Sequence, residues 1–200
     1  MARPLSAEAR DKILSAAGEI LLDTGVSGFT VDAVVRRSGV AKTTIYRHFD
    51  NSAQLILNAL DSVVAPFPTP NTGSLRGDLD AYCKITSQIT CDARLRLLML
   101  ELIAAAAQNQ ELAEVKRAMF SERMGPVRTV IQLAMARGEI SSDLDPDLAV
   151  ELAEAPFLSH LMIHALEPPS DSQLEKMIEF VVAGLSGMGS EAADPSSQSQ

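Results

Sequence analysis

Residues 30–49 read TVDAVVRRSGVAKTTIYRHF, and the reading of this stretch decides the fold. Thr30 can cap a short helix whose Val31, Val34 and Val35 fall at helical spacing and turn inward. Ser38-Gly39-Val40 interrupts that helix, because Gly39 accepts a turn conformation that most side chains resist. A second short helix, Lys42 to Phe49, follows. Val40 and Ile45 plug the space between the two helices and Phe49 anchors the end. Lys42, Thr43, Thr44, Tyr46, Arg47 and His48 are then left outside, a set of donors suited to phosphate oxygens and base edges. A helix, a glycine turn and a short helix with a polar outer face form a helix-turn-helix.

The flanking chain is also helical, with no alternating strand pattern to compete. Ser6 is expected to cap a first helix that carries Glu8 in its first turn, buries Ile13, Ala17, Ile20 and Leu21, and stops at Gly25. Asn51 and Gln54 read as a capping box for a fourth helix reaching about Ala65, before a loop with Pro66, Pro68, Pro70 and Gly73. Five more helices are predicted at 75–90, 92–107, 110–137, 146–166 and 171–187. Pro126 and Pro156 should kink two of them. Asp145 before Pro146, and Ser170 with Gln173, mark the last two starts. The fold class is therefore all-α, with nine helices in two domains. Residues 1–52 would be the DNA-binding domain, 53–188 a ligand-binding and dimerisation domain, and 189–200 a disordered tail rich in Ser, Gln and Ala.

Composition narrows the function. A hydrophobic fraction of 46% supplies a real core, and the longest apolar run, Leu97–Ala107, is interrupted by Glu101 and too short to span a bilayer. With no apolar signal region at the amino terminus either, the expected place is the cytoplasm, without membrane contact. A net charge of −9 looks unsuited to nucleic acid, but it is unevenly spread. Residues 1–52 carry seven Lys/Arg against six acids, a balance of +1, while residues 53–200 carry ten against twenty, a balance of −10. The acidic part should stay off DNA. Cys83 and Cys91 match neither a disulfide framework nor a zinc site and read as reduced core residues.

Gly25, Thr30-Val31, Gly39-Val40, Thr44-Ile45-Tyr46-Arg47-His48-Phe49 and Leu55 together resemble the signature of the TetR family of transcriptional regulators, position by position over residues 10–56. The resemblance implies a nine-helix homodimer whose first three helices hold a palindromic double-stranded operator and whose remainder binds a small effector. It implies phosphate contacts from Thr30, Tyr46 and His48, and base or backbone contacts from Lys42, Thr44 and Arg47. Two positions depart from the pattern. Ala41 stands where the family usually has a serine cap, at a cost of about 1 kcal/mol, and Ser52 stands where it usually has a lysine.

The second part offers less specific signals. Met99, Glu101, Met119, Phe120 and Phe157 are candidate lining for an apolar ligand cavity, with Glu101 expected to meet either an arginine such as Arg96 or a polar group of the ligand. Apolar residues on the last two helices, Leu148, Leu152, Phe157, Leu161, Met162, Ile178, Val181, Val182 and Leu185, exceed what one helix pair can hide, so a second copy should cover the remainder. The competing reading is an all-α metal-binding or hydrolytic protein using His160 and His164, with Glu167 on the same helical face. No paired Glu-x-x-His motif, nucleophile elbow or phosphate loop supports it, and no cofactor is expected.

Overall fold

The computed structural model describes residues 7–64, 67–90, 92–164 and 167–188, and among them it contains ten helices and no strand. These are α1 (Ala7–Thr24), α2 (Val31–Ser38), α3 (Lys42–His48), α4 (Ser52–Val63), α5 (Leu75–Thr90), α6 (Ala93–Ala106), α7 (Gln110–Arg123), α8 (Gly125–Ala136), α9 (Pro146–Ile163) and α10 (Asp171–Gly187). The Ser6 cap, Ala65, Pro66, Cys91 and the 189–200 tail lie outside the described residues.

Ten helices replace the expected nine because the single helix predicted over 110–137 is two. Pro126 has no N–H to return to the preceding turn, so the chain ends α7 at Arg123 and starts α8 at Gly125, with the proline in its first turn. Pro156 behaves differently, since α9 continues through it. That helix ends at Ile163, short of the expected 166.

Two compact units result, and they interleave along the chain. The first comprises Met1–Pro66 and Asp92–Arg123, the second Phe67–Cys91 and Met124–Gln200. In the first, α1 packs on α2, α4 and α6, and α7 packs on α4 and α6. Ile13, Ala17 and Leu21 of α1 share one core with Ile45, Phe49, Leu55 and Leu60 and with Leu98, Leu102 and Met119 of α6 and α7. In the second, α5 packs on α8 and α10 while α9 packs on α8 and α10, around Leu79, Val130, Ile131, Ile140, Ala149 and Leu185.

Most local devices are those the residues suggest. Thr30 accepts the Ala33 N–H at 3.2 Å, Asp145 accepts the Asp147 N–H at 2.8 Å, and Ser170 and Gln173 complete a capping box. Asn51 accepts the Gln54 N–H at 2.8 Å, but the Gln54 side chain takes the N–H of Asp50 instead of closing the box on Asn51. Ala41 supplies no side-chain cap to α3.

Candidate functional site

The α2–α3 corner is built around Gly39, which ends α2 at φ 69° and returns its N–H to the Val35 carbonyl at 3.0 Å. Ile45 and Phe49 are buried, and Val40 packs half-buried against the same core. With α3 anchored by those side chains, Lys42, Thr43, Tyr46 and Arg47 are exposed together on its outer face. Thr44 and His48 are half-buried, a correction to the expectation that all six stand outside. The His48 ring leans on Phe49, with centroids 6.1 Å apart, and its Nε2 is buried without a hydrogen-bond partner. Any outward contact from His48 therefore falls to Nδ1. Thr30 lies at the α2 N-terminus, where its hydroxyl accepts from Ala33 and keeps its own proton free to donate.

Three of the cations among the described residues up to position 52 are ion-paired. Lys42 Nζ lies 2.8 Å from Asp32 Oδ1, Arg37 pairs with Asp23 at 2.9 Å and stands near Glu19, and Lys12 pairs with Glu8. Arg10 bonds Asn58 and stands over the Phe49 ring. Arg47 is exposed, and no ion pair holds it among the described residues.

Three of the five candidate ligand residues share one core. Met119 is buried in the core of the first unit, with Met99 and Phe120 packed half-buried against it, and Phe157 belongs to the second unit. Glu101 borders an open cleft of about 480 Å³ that it shares with Val26 and Ser27, Ala105 and Gln108, and Leu112. Its carboxylate accepts the Ser27 N–H at 2.9 Å, a backbone partner that sequence reasoning missed. It also fills the space beside Gly25, where a Cβ would come within 1.6 Å of Oε2.

His160 and His164 stack with centroids 4.7 Å apart, and His160 Nε2 bonds the Glu167 carbonyl at 3.1 Å. Because α9 ends at Ile163, Glu167 does not lie on its face, and among the described residues no group of three or more His, Cys, Asp or Glu is placed to hold a metal.

Cys83 is the core residue the sequence suggests, whereas Glu154 escaped sequence reasoning. Cys83 is buried, and desolvation pushes its thiol up to about 12, which removes the thiolate a redox sensor needs. Glu154 on α9, near that thiol, is pushed up to about 7 by burial. In the unfolded chain Glu154 loses its proton near 4.5, whereas the fold retains it up to about 7. The folded state thus binds more protons across that window, and this contribution is whole below it and lost as pH rises through it. Glu154→Gln should flatten the decline in melting temperature between about pH 5 and 7.5, recovering on the order of 2 kcal/mol at the upper end. A wild-type decline that persists unchanged in the variant would assign the effect to another group.

Comparisons with known proteins agree with this geometry. A family model described as "Bacterial regulatory proteins, tetR family" matches residues 13–59, and one described as "Tetracyclin repressor-like, C-terminal domain" matches residues 69–181. The HTH-type transcriptional regulator YdeS of Bacillus subtilis is 29% identical over 92% of each chain. The DNA-binding transcriptional repressor TetR of Mycobacteroides abscessus is 30% identical, over 85% of this chain and 90% of that one. The crystal structure of the TetR family transcription regulator SCO0332 superposes with a TM-score of 0.71 at 28% identity, covering 88% of this chain and 98% of that one.

Proposed function

The chain belongs to the TetR family of DNA-binding transcriptional regulators, and from that premise we propose that it is a repressor that binds a palindromic operator as a homodimer. A small apolar effector releases it. Residues 1–52 carry the DNA contacts, and residues 53–188 carry the effector site and the dimer interface. The observation that supports this reading best is the exposed row Lys42, Thr43, Tyr46 and Arg47 on α3, held outward by the buried Ile45 and Phe49. Lys42 and Arg47 would reach phosphate or base edges, Thr43 and Thr44 would add hydroxyl donors, and Thr30, Tyr46 and His48 would take phosphates.

Dimerisation is supported by the apolar surface of α9 and α10, where Leu158, Met162, Ile163 and Phe180 are exposed. A two-fold contact through these helices would give the assembly two copies of α3, one for each half of a palindrome. Among the described residues no helix is long and apolar enough to cross a membrane, in keeping with a cytoplasmic regulator.

Selection of bound fragments from random DNA tests the proposal. Recovery of a palindrome supports it, and recovery of no enriched sequence overturns it. On the selected fragment, Tyr46→Ala should weaken binding roughly tenfold while helical content and dimerisation stay as they are, since Tyr46 is 47% exposed and supports no core. Undiminished affinity at physiological salt would remove Tyr46 from the interface.

A further inference from the structure

We infer that Asp32 is a specificity-determining residue of the DNA-binding face: paired with Lys42, it withholds that cation from indiscriminate phosphate contact and yields it where an operator phosphate is placed to displace the carboxylate. The inference rests on the reading of α3 as the recognition helix.

Asp32 stands in the first turn of α2 and Lys42 opens α3, so the pair ties the N-terminus of one helix to that of the other. The contact is 2.8 Å long, yet both side chains are exposed, at 64% and 50%. Their hydrogen bond holds the Asp32 carboxyl below the usual carboxylate range and the Lys42 ammonium above the usual lysine range, so both remain charged at physiological pH. An exposed pair of this kind is weakly held and readily exchanges its partner. A phosphate oxygen offers the same charge and geometry as the carboxylate it would replace.

The surrounding charge makes this one pair count. Residues 1–52 have a balance of only +1. Arg37 is held by Asp23 and Glu19, and Lys12 by Glu8 on its own helix. Lys42 is the ion-paired cation that belongs to α3 itself, on the same outer face as Tyr46 and Arg47. On random DNA, where no base contacts hold α3 in register against one phosphate, Lys42 stays on Asp32 and contributes no counterion release. On the operator it transfers to phosphate and does contribute. Asp32 thus lowers sequence-independent affinity more than operator affinity, and the ratio of the two rises.

Asp32→Asn keeps the shape and removes the charge. Binding to a mixed-sequence duplex of about 30 base pairs is measured from about 50 to 200 mM salt, beside the fragment recovered by selection. The variant should steepen the salt slope on mixed sequence by about 0.9, raise that affinity several-fold at low salt, and leave the slope on the selected fragment unchanged. The same substitution in a Lys42→Gln background should do none of this. An unchanged mixed-sequence slope overturns the inference. So does an increase that persists in the Lys42→Gln background, since bare repulsion between Asp32 and DNA would then explain it. A wild-type chain that binds neither duplex overturns the recognition-helix reading instead, and the inference with it.

Discussion

Asp78→Ala is expected to lower folding stability by about 2–4 kcal/mol, because it removes a fully buried carboxylate on which three donors converge. Asp78 accepts the Thr72 N–H at 2.5 Å, the Thr72 hydroxyl at 2.8 Å and Arg137 Nη2 at 3.0 Å. Beside it Glu139 accepts the Leu75 N–H at 2.7 Å and Arg137 Nε at 2.5 Å. The loop before α5, the first turn of α5 and the connection from α8 to α9 are thereby tied into one polar knot. Alanine would take from both Thr72 donors their buried acceptor, although Thr72 itself is exposed. Arg137 would lose less, since it is 25% exposed and retains Glu139. Asp78→Asn leaves an acceptor for Thr72 and should cost about half as much. At roughly 2–4 °C per kcal/mol for a chain of this size, the alanine variant should melt about 5–15 °C lower. A melting temperature within a degree or two of wild type would mean that water replaces the carboxylate and that the knot adds no stability.

The features that were legible in the sequence are local ones. Thr30, Gly39, Ile45 and Phe49 each act within a few residues of their own position, so a cap, a turn and a buried face can be read from spacing. Even local readings failed where two rules competed. The periodicity across 110–137 favours one helix, but the missing N–H of Pro126 divides it. Glu167 was placed on a helical face that ends at Ile163. It precedes Pro168, whose ring disfavours helical backbone in the residue before it.

Long-range partners were not legible, because periodicity says that a helix has a face to bury and not what covers it. Leu98, Leu102 and Met119 are plain core by pattern, yet nothing near them indicates that α1 and α4 supply the other half of that core. Glu101 shows the same limit. Its charge in an apolar helix requires a partner, and Arg96 was the nearest candidate in sequence, but the structure supplies the Ser27 N–H from 74 residues away. Asp78 drew no notice in the sequence, and its burial becomes visible only once Arg137, 59 residues on, is placed beside it.

Phe180→Glu is expected to convert the proposed dimer to a monomer and to weaken binding to the selected fragment by about a hundredfold or more. Phe180 lies on α10 with 71% of its surface exposed, an unusual state for so large an apolar side chain, and Ile163 at the end of α9 is equally exposed. Covering one phenylalanine contributes about 2–3 kcal/mol, and in a two-fold contact each such residue is covered twice. Glutamate forfeits both contributions and places a charge from each copy in an apolar contact. The fold itself should tolerate the change, because Phe180 is largely exposed and belongs to no core cluster among the described residues. A monomer still presents one α3 to one half-site, but the second half-site no longer binds at the high effective concentration the dimer provides. Phe180→Leu retains an apolar surface and should remain dimeric. Sedimentation gives the assembly state and titration of the selected fragment gives the affinity. A Phe180→Glu protein that still sediments as a dimer and binds the operator with undiminished affinity would place the interface away from α10.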